Sequence, residues 1–278
     1  GGTKFVCAVG SNPDYLKIER FPTTNPEETI SKAINFFRMH SKEKKLEAIG
    51  ISSFGPVDLN KDSKTYGYIT STPKPNWSNV DFVGPIKKEF NIPVGFDTDV
   101  NGAALGESYW GAGKGLRNFV YLTIGTGIGG GGLLNGQLMH GLVHPEMGHI
   151  FIPLDSQDKY QGNCPFHKNL CFEGLACGKA IEERWGKPAK DLEQNHQAWN
   201  LEAHYISLAL INYICTLSPQ RILLGGGIME QKHLFPLIHD KVIAMLNNYV
   251  QSPAILDDIK NYIVPPALGK RSGVLGAL

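Results

Sequence analysis

Two aspartates, Asp97 and Asp99, stand two positions apart in the stretch "FDTDVNGAALGE", between an apolar run and a series of small residues. In extended geometry residues two apart share one face. A carboxylate held there can accept the proton of a hydroxyl that attacks a phosphoryl group. The dipole of a helix starting near Asn101 would keep Asp99 ionised for that task. The same position suits a plain helix cap, a common role for aspartate, and the residues alone leave both readings open.

A second constellation lies in "NCPFHKNLCFEG", where Cys164 and Cys171 bracket His167. Sulfur and nitrogen donors at this spacing suit a tetrahedral zinc site, which needs a fourth ligand. His149, in "HPEMGH", supplies it, with His144 and Cys177 as competitors. With four protein ligands the metal is structural and leaves no open position to activate water. An unmetallated loop is the alternative, and a reducing compartment disfavours a disulfide. Glu146 and Glu173 flank this segment. Carboxylates accept hydrogen bonds from sugar hydroxyls, and two of them can orient a polyol; as plain surface acids they would do nothing of the kind.

Glycine turns form the third group. Backbone N–H groups cradle phosphate where no Cβ intervenes, and a threonine hydroxyl adds a donor. "GGTK" offers Gly2, Thr3 and Lys4; "GTGIGGG" offers Thr126 and Gly127; a third run comprises Gly225, Gly226 and Gly227. Neither of the first two follows the Walker or the dinucleotide pattern. Each alone reads equally as a tight hairpin turn. Three converging turns suit a nucleotide, with phosphates on the first two and adenosine on the third.

The elements that must position these groups alternate between strand and helix, which indicates an α/β architecture. "GGTKFVCAVG" reads as a glycine turn feeding a buried strand, and Gly125-Thr126-Gly127 echoes it as a weak internal repeat, each domain opening on a glycine-threonine hairpin. "NPEETISKAINFFRMHSKE" has helical spacing with Asn25 as cap. "LEAIGISSFGPVDL" and "IPVGFDTDV" read as strands, "VDFVGPIKKEFN" and "NGAALGESYWGAG" as helices, and "RILLGGGI" as a strand running into glycines. The expected division is an N-terminal lobe over 1–112, completed by 263–278, and a C-terminal lobe over 113–262 that carries the zinc loop.

Composition narrows the function classes. The chain has 278 residues, 42% of them hydrophobic, with 32 glycines and a formal net charge of +1. That charge leaves no footprint for nucleic acid or an anionic membrane. No apolar run is long enough to span a bilayer, and no secretion signal opens the chain. Five cysteines, an odd number, indicate a reducing cytoplasm.

The motifs "GGTKF", "SSFGPVD", "DTDVNGAALGE", "GTGIGGGGLLNGQLMHGLVHPEMGH", "NCPFHKNLCFEGLACG" and "LLGGGI" together resemble the ROK (repressor, open reading frame, kinase) sugar kinases, and among them the bacterial fructokinases. The resemblance spans essentially the whole chain. It implies a two-lobed actin-like ATPase fold (ribonuclease H-like) with the active site in the interlobe cleft, ATP and Mg²⁺ as cofactors, a structural Zn²⁺, and a homodimer. It implies Asp99 as general base, Thr3 and Thr126 with neighbouring glycines on the ATP phosphates, and Glu146, His149 and Glu173 at the sugar, His149 also serving zinc. Two departures stand out: Thr98 occupies a position where most members carry Asn, and His167 replaces a cysteine of the commoner zinc loop. The "CPFH…C" form is the main reason for choosing fructose, phosphorylated at its 6-hydroxyl, over glucose or mannose. The family's repressors carry an N-terminal DNA-binding domain, of which nothing precedes Gly1, so a sugar-sensing regulator is the weaker expectation. A non-catalytic zinc scaffold is weaker still.

Overall fold

After Gly2 and Thr3 the chain enters an antiparallel ribbon of β1 (Lys4–Asn12) and β2 (Tyr15–Pro22), in register from Lys4↔Pro22 to Asn12↔Tyr15. The structure, a computed structural model, describes residues 2–278; Gly1, the first glycine of the opening motif, lies outside the described residues. Thr3 leads straight into β1, and the chain reverses at Asn12 to Tyr15. One sequence expectation changes here: β1 is not a buried strand, since Cys7 is its one buried residue.

Helix α1 (Pro26–Ser41) starts where the Asn25 side chain accepts from Glu28 N and Pro26 fits the first turn. Its apolar face, Ile30, Ala33 and Phe36, turns inward. Strand β3 (Ile49–Ser53) follows, then the short pair β4 (Tyr68–Ile69) and β5 (Val80–Asp81), and α2 (Val83–Phe90). Strand β6 (Val94–Thr98) pairs parallel with β3, Ser52 opposite Asp97, and runs without a gap into α3 (Asp99–Trp110). Ile30, Ile49, Val57, Ile69, Trp77, Phe82 and Ile86 form the core of this region, with Trp77 Nε1 donating to Thr24 O at 2.8 Å.

A five-stranded sheet in the order β11-β10-β7-β8-β9 organises the other part of the chain. Its hairpin joins β7 (Phe119–Ile124) to β8 (Ile128–Leu134), and the short β9 (Gln137–Leu138) follows. Helices α4 (Phe172–Ala176), α5 (Gly178–Trp185) and α6 (Ala198–Leu217) come next. Strand β10 (Arg221–Gly225) then lies parallel to β7. After α7 (Leu234–Leu246), α8 (Pro253–Leu256) and α9 (Ile259–Tyr262), β11 (Ile263–Val264) lies parallel to β10, and α10 (Ser272–Ala277) ends the chain. Among the described residues no helix is long and apolar enough to cross a membrane.

The chain divides into two compact units: Gly1–Lys114 with Leu138–Pro145 and Lys270–Leu278, and Gly115–Gln137 with Glu146–Gly269. Two boundaries differ from the expected ones. Residues 263–269 stay with the second unit, because Ile263 and Val264 pair with Ile222 and Leu223 of β10. Leu138–Pro145 belongs with the first unit, where the Asn101 side chain donates to Met139 O and His144 Nε2 accepts from Val57 N.

In the first unit α10 packs directly on α3. A Cβ on Gly276 would lie 1.5 Å from Gly102 O, and one on Gly106 would lie 2.4 Å from Ser272 O. Only glycine permits backbones to approach so closely. Ser272 Oγ also donates to the buried Glu107 Oε1 at 2.7 Å, which fixes the helix that begins at Asp99.

Candidate functional site

The junction of β6 and α3 treats its two acids differently. Asp97 Oδ1 accepts from Thr98 N at 2.7 Å and Asn101 Nδ2 at 2.9 Å, and its Oδ2 meets His140 Nε2 at 2.8 Å. The Asp99 carboxylate makes no hydrogen bond among the described residues. The helix begins at Asp99 rather than near Asn101, and its cap is Thr98, whose hydroxyl accepts from Asn101 N at 3.2 Å. The capping role weighed for Asp99 therefore falls to its neighbour, since a residue with helical backbone cannot also stand outside the helix as its cap. Asp99 keeps a free carboxylate in the first turn of α3.

His149 meets the loop that carries Cys164, His167 and Cys171 in the second unit. A ligand atom each from His149, Cys164, His167 and Cys171 lies within 4.8 Å of the other three. His149 Nδ1 is 3.7 Å from both Cys164 Sγ and Cys171 Sγ, and His167 Nδ1 is 3.7 Å from Cys164 Sγ. Tetrahedral zinc with these donors has ligand-to-ligand edges of about 3.5 Å, so the set fits. Backbone amides of His167 and Gly174 donate to the two sulfurs, as thiolates require. Burial, with Cys164 beside it, pushes the Cys171 thiol up to about 12, so a cation is needed to hold it as thiolate. The competitors are occupied elsewhere: His144 Nε2 accepts from Val57 N, and the Cys177 sulfur accepts from Asn163 Nδ2.

Two backbone features aim this cluster. A Cβ on Gly148 would lie 2.0 Å from Ile128 O, so the turn bearing His149 sits flush on β8. Phe172 N donates to Ile150 O at 2.9 Å, which sets Cys171 beside that turn. Glu173, next to Cys171, accepts from Ile128 N through Oε2 at 2.8 Å, and its Oε1 lies 3.9 Å from His149 Nε2. Glu146 is exposed, and its carbonyl receives His149 N at 2.9 Å.

The glycine turns of the second unit also come together. Gly125 N donates to Gly127 O at 2.9 Å to close the β7–β8 turn, which leaves Thr126 exposed at its tip. Gly226, at φ +91°, would place a Cβ 2.4 Å from Ile124 O, and a Cβ on Gly125 would lie 3.6 Å from Gly227 N. The run at Gly225 thus lies against the first turn. Gly178 at the head of α5, not singled out from the sequence, donates to Gly125 O at 2.6 Å. Its only sequence signal is a glycine next to Cys177. The first unit carries Asp97, Asp99 and His144 together with Gly2, Thr3 and Lys4, the last three exposed at the head of β1; the second unit carries the other candidate residues.

A family model described as the ROK family matches residues 1–278. The chain belongs to the ROK family. A relative from Bacillus subtilis (strain 168) is 54% identical over 280 residues, covering 100% of this chain and 92% of that protein. A fructokinase of Streptococcus mutans is 47% identical over 283 residues, covering 100% of this chain and 94% of its own. Among solved structures, a ROK hexokinase from Thermus thermophilus superposes with a TM-score of 0.79 at 25% identity, covering 100% and 94% of the two chains. As a ROK protein the chain has the actin-like ATPase fold of these sugar kinases, with mixed α/β units.

Proposed function

We propose that this ROK protein is an ATP-dependent fructokinase that phosphorylates D-fructose at its 6-hydroxyl. What carries the reading is a free carboxylate, Asp99, at a helix start in a chain similar end to end to a fructokinase. Asp99 takes the proton of the 6-hydroxyl as that oxygen attacks the γ-phosphorus in line. The new O–P bond forms as the bond to the β-phosphate oxygen breaks, giving fructose 6-phosphate and ADP. Amides and hydroxyls at Gly2, Thr3, Lys4, Thr126 and Gly127 meet the phosphates, and Gly225 and Gly226 lie at the adenosine side. These groups are oriented before the reaction, so they stabilise developing charge without reorganising. Mg²⁺ on the phosphates supplies further neutralisation.

On the sugar side we assign Glu146, His149 and Glu173. Zinc held by His149, Cys164, His167 and Cys171 is structural, and the tetrahedral donor set supports that assignment. Five unpaired cysteines favour a reducing cytoplasm. A homodimer is the assembly we assign, supported by exposed Phe151 and Phe166 beside the metal loop and testable by sedimentation. The decisive experiment compares kcat/KM for fructose, glucose and mannose in a coupled ADP assay. Fructose should lead. A preference for glucose or mannose overturns the sugar, and no ADP release with any hexose overturns the kinase.

A further inference from the structure

Asp97 does more than stand beside the base. Its Oδ2 lies 2.8 Å from His140 Nε2, and a carboxylate can only accept. The ring proton therefore sits on Nε2, and in the neutral ring Nδ1 is a bare acceptor. No hydrogen bond reaches that Nδ1 among the described residues, and the side chain is 46% exposed. Asp97 cannot swing away, since Thr98 N and Asn101 Nδ2 hold its other oxygen. Asn101 Nδ2 also donates to Met139 O, which pins the backbone just before His140. An exposed imidazole with one nitrogen tied and the other open is an oriented hydrogen-bonding group waiting for a partner.

Two polar groups nearby are already engaged. The Thr98 hydroxyl is buried and caps α3. His144 lies within electrostatic reach of Asp97, His140 and Asp99, which places the four in one cluster of the first unit. Its Nε2 accepts from Val57 N, and burial lowers its pKa, so it stays neutral and internally bonded. Beside the free carboxylate of Asp99, His140 Nδ1 is thus the open acceptor of this cluster.

We propose that His140, oriented by Asp97, is a positioning residue for the sugar: Nδ1 accepts a hydrogen bond from a hexose hydroxyl and sets the orientation in which Asp99 meets the phosphoryl-accepting hydroxyl. The proposal rests on the sugar-kinase reading.

The test uses two variants. In His140→Gln the amide nitrogen takes the place of Nε2 and still reaches Asp97, but nothing stands at Nδ1. His140→Ala removes both. In both, the fructose KM should rise about tenfold, the loss expected for one hydrogen bond, while the ATP KM and the melting temperature stay at wild-type values. A wild-type fructose KM in both variants overturns the proposal. So does an equal rise in both KM values accompanied by a lowered melting temperature, which marks a purely structural role. The wild-type protein is measured first with fructose, glucose and mannose. If another hexose is preferred, the fructose reading fails and the variants are scored with that hexose. If none is phosphorylated, calorimetric hexose binding without ATP scores them, and unchanged affinity overturns the proposal.

Discussion

His149 lies between two neighbours: its Nε2 is 3.9 Å from Glu173 Oε1, while its Nδ1 is 3.7 Å from the sulfurs of Cys164 and Cys171. One imidazole can therefore face a metal with one nitrogen and the sugar-side acid with the other, because the two lone-pair directions of the ring diverge. Glu173 is fixed independently, through Ile128 N. The metal clamp and the proposed sugar contacts thus share one rigid ring, and this arrangement has consequences that can be measured.

Purified protein should contain about one zinc per chain by elemental analysis. Cys171→Ala removes one of four ligands, so its zinc affinity should fall by more than the 10- to 100-fold loss typical of disturbing an outer-shell partner. Because His149 connects the clamp to Glu173, the fructose KM of this variant should rise more than its ATP KM. Zinc-free protein with an unchanged fructose KM would refute the connection.

Gly127→Ala probes the other support of Glu173. An ideal Cβ at Gly127 would lie 2.7 Å from Glu173 Oε2, the oxygen that accepts from Ile128 N. The carboxylate must retreat from that amide, since the turn is closed by Gly125 N on Gly127 O and cannot open easily. A rise of about tenfold in the fructose KM is expected, the cost of one displaced hydrogen bond. An effect confined to the ATP KM would show that Gly127 serves only the nucleotide.

What was legible in the sequence was local. Asn25 before Pro26 announces α1, and the Cys-x-x-His-x-x-x-Cys spacing brings three ligands together within one loop. His149 could be named because four donors were required and a candidate histidine lay close upstream. The pairing of Asp97 with His140 carried no such signal, since the two are 43 positions apart and neither spacing nor period links them. The chain's late return to the first unit was hidden for a related reason. A strand of two residues, Ile263–Val264, has no periodicity to read, and only its pairing with β10 reveals its place. The exposure of β1 was misread because its Val, Cys and Ala suggest burial on both faces, whereas only Cys7 is buried.

Glu202 gives the protein a pH-dependent stability unrelated to the site. It is 2% exposed on α6, its Oε1 has no hydrogen-bond partner among the described residues, and burial raises its pKa well above the usual carboxylate range, against the pull of Arg184. In the unfolded chain it ionises near the ordinary value of about 4.3. The folded protein therefore holds a proton that the unfolded chain releases, and stability present below about pH 4.3 declines as pH rises toward the folded value. Glu202→Gln lacks this proton exchange. The melting temperature of the variant relative to wild type should climb as the pH rises above about 4.3 and level off once the folded value is passed, in calorimetric scans. A difference independent of pH would mean that Glu202 is ionised in the fold.

Asp99→Asn tests the chemistry itself. The amide keeps the shape of the side chain and its place in the first turn of α3, but it cannot take the proton of the attacking hydroxyl. Turnover should fall by about two orders of magnitude or more, the contribution of a positioned general base. Fructose affinity, measured by calorimetry without ATP, should survive, since the assigned sugar contacts lie on other residues. Asp97→Asn provides the contrast. Its carboxylate is already engaged by Thr98 N, Asn101 and His140, so it has no free oxygen with which to act as base. That variant should loosen His140 and raise the fructose KM while retaining most of its turnover. Near wild-type turnover in Asp99→Asn, or a loss concentrated in Asp97→Asn instead, would transfer the role of base away from Asp99.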